Sequence, residues 1–139
     1  VYKRQDLNYM GTLLPIQVFT KDMVEKRSGS IINIASVTSI LPLTKVMAYG
    51  NAKSAILNLT QWLAVHFGES GIRCNAIAPG FVETDMTAAL SEDLQKQMLE
   101  TIPLKRYGQV DDIAQAAVFL AKNTYITGQV LHVDGGMCM

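Results

Sequence analysis

Ser30-Ile31-Ile32-Asn33-Ile34-Ala35-Ser36 is the stretch on which the fold turns. It is short, β-branched and almost continuously apolar, without the alternation of a strand that has one wet face. Such a run fits a strand buried on both sides, as in a parallel sheet. Upstream, apolar residues recur at helical spacing from Leu7 to about Lys26 (Leu7, Met10, Leu14, Val18), with Asp6 as candidate N-cap and Ser28-Gly29 as the stop. Pro15 forfeits a backbone bond there at ~3 kcal/mol, so a kink or an exposed helix side is expected. Val1–Gln5 shows no cap or period and reads as a fragment boundary or a non-native lead.

Downstream, Val37 to Val46 carries Pro42 and no clear period, which predicts a loop over the strand's carboxyl end, where open α/β sheets hold ligands. A second helix is expected from about Met47 to Phe67, with Ala52, Ala55, Ile56, Leu59, Leu63 and Phe67 on one face and Gly68 and Gly71 closing it. Ile72 to Ala78 reads as another strand, and Thr84 to Glu100 as a pair of short helical segments fit to serve as a lid. Asp111 or Asp112 then caps a third helix with Ile113, Ala117 and Leu120 inward, before a last strand over Gly128 to Val133. The order is that of an α/β fold with a parallel sheet: three strands, three main helices and a small helical lid.

Composition narrows the function. The chain has 139 residues, 49% hydrophobic, with 12 basic and 12 acidic side chains, enough for one core and without the basic surface that nucleic acid or anionic membrane requires. Small-molecule chemistry is the expectation. The apolar runs fall short of the ~20 residues of a membrane span, and no apolar h-region follows the basic start. Cys74 and Cys138 have no CxxC spacing and no clustered histidines, so both read as structural or incidental, with no metal site, in a soluble cytoplasmic protein.

The chemistry concentrates in Tyr49-Gly50-Asn51-Ala52-Lys53. On a helix, the four-residue spacing stacks phenol and ammonium on one face, ~5–6 Å apart at Cβ. Acid–base work by tyrosine near neutrality needs a shift of ~2–3 units from ~10, or ~3–4 kcal/mol. One lysine at ~4 Å in partly screened surroundings supplies ~4 kcal/mol. His66, near a helix end, and His132, on a strand, fit no catalytic pattern and read as structural. The lid methionines either line an acyl pocket or fill gaps.

Taken as an ordered set, these residues resemble the short-chain dehydrogenase/reductase superfamily from Asp6 to Met139. The set comprises Asn8 on the first helix, Ser36 ending the first strand, Tyr49 and Lys53 on the second helix, Asn75-Ala76-Ile77-Ala78-Pro79-Gly80 ending the second strand, Thr84, and the closing Val133-Asp134-Gly135-Gly136. The resemblance implies that Tyr49 exchanges a proton with the substrate oxygen while a nicotinamide exchanges hydride, and that Ser36 holds that oxygen. It implies that Lys53 holds the nicotinamide ribose and lowers the tyrosine pKa, and that Asn8 orders a water linking Lys53 to solvent. Pro79-Gly80 would let the backbone approach the nicotinamide, Val82 would meet its carboxamide, and Thr84 would bond carboxamide or phosphates. Asn75 reads as a side chain that ties strands. The cofactor is NADP or NAD, with NADPH favoured by the resemblance.

The Gly-rich pyrophosphate turn and the Asn-Asn-Ala-Gly strand of that superfamily are absent. Residues 6–139 therefore resemble the C-terminal catalytic part of one Rossmann-type doubly wound domain whose N-terminal cofactor-binding part is missing. The Ile31–Ile34 strand is then a raw edge, and this polypeptide alone is expected to bind cofactor poorly and to be inactive. From Gly71 onward the likeness is to 3-oxoacyl-[acyl carrier protein] reductases of fatty acid synthesis, with Arg27 as one of two basic docking positions for the acyl carrier protein. Ser70 stands at the other, and Lys122-Asn123-Thr124 is shorter than that family's acidic link. Gly11-Thr12-Leu13-Leu14-Pro15 and Thr60-Gln61-Trp62-Leu63-Ala64 look more like sugar-acid oxidoreductases, in which Lys45 would pair with a substrate carboxylate or simply be a solvated loop lysine. The family implies a homotetramer through the first two helices and the last helix and strand. A non-catalytic oligomerisation scaffold is the reading from another class.

Overall fold

The apolar run does become a strand in a parallel sheet. In the computed structural model, which describes residues 6–43 and 46–139, β1 (Gly29–Ile34) lies beside β2 (Ile72–Pro79), and β2 beside β3 (Val130–Val133). All are parallel: Gly29 stands opposite Ile72 and Ile34 opposite Ile77, while Ala76 faces Val130 and Pro79 faces Val133. Lys45 and Val1–Gln5 lie outside the described residues.

The chain enters through a five-residue π-helical turn, Asp6–Met10, that runs into α1 (Gly11–Lys26). This corrects the expected start: Asp6 does not cap the α-helix, whose N-cap position is Met10 with no side-chain cap bond. Pro15 sits near the beginning of α1 on an exposed side, and the helix continues through it to Lys26. The stop also differs, because Arg27, not Ser28-Gly29, takes the left-handed conformation (φ 49°), with Arg27 N–H donating to Val24 O and Ser28 N–H to Met23 O. A 3-10 turn over Val37–Ser39 begins the loop after β1, and α2 spans Met47–Phe67 as the periodicity predicts. A second 3-10 turn, Gly68–Ser70, then leads into β2.

The lid segment folds as α3 (Asp85–Ala88) and α4 (Glu92–Glu100). In α5 (Val110–Lys122) the N-cap is Gln109. Asp112 acts from the third helical position, its carboxylate accepting Gln109 N–H at 2.8 Å, so the aspartate closes a capping box and is not itself the cap. Leu120 is the fully buried anchor of α5.

Layering follows from strand alternation. Cys74, Ala76 and Ala78 project to the face covered by α2, where they pack with Ile16, Ala35, Ile56, Leu59 and Leu63 in one core cluster. In alternation with them, Arg73 and Asn75 point the other way: Arg73 donates to the carbonyls of Leu120 and Ala121, at 2.8 Å each. Asn75, fully buried, donates to Ile126 O at 2.9 Å and accepts Gln129 N–H at 3.0 Å, the strand-tying role expected for it.

The open side of β1 is its outer edge. Ala35 N–H bonds Ile77 O, so by ladder alternation the backbone groups of Ser30, Ile32 and Ile34 face away from β2. Among the described residues no strand pairs with that edge. It borders a groove of about 410 Å³ between β1 and α1, lined by Pro15, Phe19, Met23, Ile32, Asn33 and Lys53 among others. Among the described residues no helix is long and apolar enough to cross a membrane.

Candidate active site

The carboxyl ends of three parallel strands converge on one side of the sheet. Ser36 follows β1, Gly80 follows β2 and Asp134 follows β3, which is where open α/β sheets hold ligands.

Ser36 is extended (φ −165°) and caps the Val37–Ser39 turn. Its buried Oγ accepts Thr38 N–H at 3.2 Å and Thr38 Oγ1–H at 3.0 Å, while Ser39 Oγ accepts Ser36 N–H at 3.3 Å. With two acceptor positions engaged, what the hydroxyl has left to offer is its proton. The turn is then tied to α2, since Ser54 Oγ–H donates to Ser39 O at 2.7 Å and also lies 3.0 Å from Gly50 O. A Cβ built on Gly50 would stand 3.0 Å from Thr38 O. Gly50 therefore lets the first turn of α2, which carries Tyr49, close onto the turn that carries Ser36.

Lys53 lies one helical turn past Tyr49, its Nζ 5.8 Å from the centre of the phenol ring. That ammonium donates to Ile34 O at 2.7 Å, a carbonyl on the open edge of β1. Burial lowers the Lys53 pKa from its ordinary value, because partial desolvation disfavours the charged form. Asn8 sits in the π-helical turn before α1 and is half-buried. Turns of this kind inside helices recur at functional sites.

The second-strand residues are arranged with less freedom. A Cβ on Gly80 would come within 2.7 Å of Asp134 Cα, so packing between strand ends by itself demands glycine there. Val82 bridges Gly108, and its carbonyl accepts Thr87 Oγ1–H at 3.1 Å. Thr84 is the N-cap of α3: its hydroxyl accepts Thr87 N–H at 3.4 Å, and its own N–H donates to Thr87 Oγ1 at 2.8 Å. Thr84 is thus already engaged in starting the lid. Arg27, the expected docking cation, donates to Glu69 O at 2.7 Å and ties the end of α1 to the end of α2.

Gly50, Thr38, Ser39 and Ser54 are the positioning residues that motif reading passes over. The signal available in the sequence was a glycine in the first turn of an otherwise well-formed helix, a residue costing ~1 kcal/mol there unless close approach requires it. His66 stacks on Trp62, with centroids 4.4 Å apart and planes at 16°, and meets Phe67 edge-on.

The chain matches over residues 2–138 the family model described as enoyl-(acyl carrier protein) reductase. It is 47% identical over 141 residues to an uncharacterized oxidoreductase of Haemophilus influenzae, covering 94% of this chain and 50% of that protein. It is 46% identical over 136 residues to a 3-oxoacyl-[acyl-carrier-protein] reductase of Staphylococcus epidermidis, covering 96% and 56%. Among solved structures, one described as a D-mannonate oxidoreductase of Haemophilus influenzae, with bound NAD, superposes with a TM-score of 0.90 at 45% identity, covering 96% of this chain and 51% of that one. One described as a 2-deoxy-D-gluconate 3-dehydrogenase of Agrobacterium tumefaciens, with bound NADP, gives 0.90 at 42%, covering 95% and 56%. The chain spans about half the length of the curated relatives it matches.

Proposed function

Because the chain belongs to the short-chain dehydrogenase/reductase superfamily, we propose that it carries the proton-transfer half of a carbonyl reductase. The observation that supports this most is the closure of the Ser36 turn onto the Tyr49 turn through Ser54 and Gly50, which gives a hydrogen-bond donor and a phenol a common wall. Ser36 donates its proton to a hydrogen bond with the substrate oxygen, and Tyr49 delivers a proton to that oxygen as the carbonyl becomes a secondary alcohol. Lys53 holds the ribose hydroxyls with its ammonium, and Asn8 orders a water between Lys53 and solvent. Pro79, Gly80, Val82 and Thr84 border the nicotinamide end. The nicotinamide, NADP or NAD, supplies or accepts the hydride. Lys53, beside the groove at the open edge of β1, fits that ribose; the chain contains no Gly-rich pyrophosphate turn, so the adenosine end needs a further half.

The substrate we favour is a 3-oxoacyl thioester on acyl carrier protein, in fatty acid synthesis, on the likeness to the Staphylococcus epidermidis enzyme. Arg27 would offer the carrier those guanidinium hydrogens that its bond to Glu69 O does not use. A keto-sugar acid is the second reading, favoured by the two neighbours described as mannonate and gluconate oxidoreductases. We further propose a cytoplasmic homotetramer, with exposed Trp62 and Val65 on α2 and Val118 and Phe119 on α5 as interface side chains.

The test joins this chain to the amino-terminal half of the Haemophilus influenzae relative and follows nicotinamide absorbance with acetoacetyl thioester and a keto-sugar acid in parallel. Turnover of the thioester is expected; turnover of only the sugar acid replaces the first substrate by the second. In the same fusion, Tyr49→Phe is expected to lower kcat by about 10²–10⁴-fold with nicotinamide affinity retained, since the ribose contacts stay. A Tyr49→Phe fusion with normal turnover overturns the mechanism.

A further inference from the structure

The end of β3 gathers three side chains for which the proposed reaction has no use. His132 lies on β3, Asp134 follows it, and Cys138 comes after the Gly135-Gly136 turn. Both glycines have positive φ, 67° and 91°, a conformation that turns the chain back on itself at low cost only for glycine. The returning backbone grips the aspartate: Gly136 N–H donates to Asp134 Oδ1 and Cys138 N–H to Asp134 Oδ2, each at 2.9 Å. The Asp134 side chain is 5% exposed.

One donor atom from each of His132, Asp134 and Cys138 lies within 4.8 Å of the other two, and His132 Nδ1 stands 3.8 Å from Asp134 Oδ2. Ligand atoms held ~2.0–2.3 Å from a single cation stand ~3.3–3.8 Å apart at tetrahedral angles, so the His132–Asp134 pair is already at that spacing and a pair at the full 4.8 Å would draw in by about 1 Å to close on an ion. His132 Nδ1 itself is buried without a hydrogen-bond partner, an arrangement that is costly for a polar atom unless something completes it. Asp134, by contrast, is already oriented by backbone donors, as ligating carboxylates are. Imidazole, carboxylate and thiolate together form a borderline-soft set, suited to zinc-class ions and unsuited to magnesium or calcium, which prefer oxygen alone. Asp134 also borders a cleft of about 560 Å³ shared with Phe81, Leu104, Arg106 and Met139, which leaves room for a fourth ligand or water.

We propose that His132, Asp134 and Cys138 form a binding site for a zinc-class divalent cation at the carboxyl end of β3. Binding breaks the Cys138 S–H bond, releases that proton to solvent and forms a thiolate–metal bond, with no change in oxidation state. Burial, and after it the Asp134 carboxylate nearby, raises the Cys138 pKa, so the ion displaces a proton that the thiol otherwise keeps. Neither cysteine spacing nor histidine clustering announces this set, because its members come together only through the double-glycine turn.

Cobalt(II) titrated into the 139-residue chain tests it. A saturable, one-to-one sulfur-to-cobalt charge-transfer absorption is expected, displaced by zinc, retained in Cys74→Ser, lost in Cys138→Ser and weakened at least tenfold in His132→Ala. Absence of the band, or its persistence in Cys138→Ser, overturns the site. Should Cys138→Ser fail to fold, zinc protection of Cys138 against alkylation in the unsubstituted chain, mapped by mass spectrometry, decides the matter: protection is expected, and equal labelling with and without zinc overturns the site.

Discussion

Cys74 stands in the middle of β2 at 1% exposure, and burial pushes its thiol up to about 12 from an ordinary 9.0. In the unfolded chain that thiol ionises near 9, whereas in the native one it keeps its proton until about 12. Between those limits the unfolded state binds fewer protons, so stability falls as pH rises, by up to about 1.4 kcal/mol per pH unit; below 9 the group contributes no slope. Urea midpoints measured below pH 9 and again midway to 12 are expected to drop more for the unsubstituted chain than for Cys74→Ala. Equal drops would mean that the buried thiol titrates freely. The neighbourhood explains the placement. Asn33 Nδ2 donates to Thr60 Oγ1 at 2.9 Å and lies 3.6 Å from Cys74 Sγ, so the one amide of the apolar strand has its partners inside the core. The sequence pairs Tyr49 with Lys53 through their four-residue spacing, and Ser36 joins them through the resemblance to the short-chain dehydrogenase/reductase superfamily. It does not mark Ser54 or Thr38, which matter only once two segments meet.

At the scale of elements, the periodic segments were legible and their ends were not. α2 runs over Met47–Phe67 because its apolar face is broad and regular, whereas the cap positions expected at Asp6, at Ser28-Gly29 and at Asp111 or Asp112 fall to Met10, Arg27 and Gln109, with Asp112 closing the capping box from inside the helix. Caps depend on where the preceding segment arrives, and that is a tertiary matter. Gly71 shows the coupling between elements. Its φ is 73°, and an added Cβ would lie 2.4 Å from Arg27 O, so the residue before β2 packs directly on the residue ending α1. Gly71→Ala is expected to cost about 1–3 kcal/mol from the backbone conformation alone, with the clash added. Gly68→Ala, where a Cβ meets nothing within 4 Å, serves as the control. Chemical denaturation showing equal stability for the two variants would refute this account of the junction.

For the molecule as a whole, the consequential feature is the outer edge of β1. Ser30, Ile32 and Ile34 turn their backbone groups away from β2, Ile34 is 48% exposed, and Leu14, Val18 and Phe19 of α1 are exposed as well. An unpaired apolar edge recruits further strands. The isolated chain is therefore expected to self-associate in a concentration-dependent way, and Ile34→Lys, which sets a charge on the edge, to reduce that association in sedimentation velocity. Unchanged association would shift attention to Trp62 and Val65 on α2. Lys53 already donates to one edge carbonyl, Ile34 O, so the residue proposed to hold the ribose also caps the end of the open edge.

By itself the sequence determined the order of helices and strands, the parallel sheet, and the placement of Tyr49 and Lys53 one helical turn apart, because periodicity and short spacing are properties of contiguous residues. The tertiary structure decided what depends on segments meeting: the closure of Ser39 onto Ser54, the grip of Arg27 on Glu69, and the fit of Gly80 against Asp134. It also decided that the hydroxyl of Thr84 caps α3 and that donor atoms of His132, Asp134 and Cys138 come within 4.8 Å of one another. The physical reason is common to all of these. A hydrogen bond or a glycine's close approach between distant positions leaves no period in the chain, and burial, which sets what a polar group must find as a partner, exists only after folding.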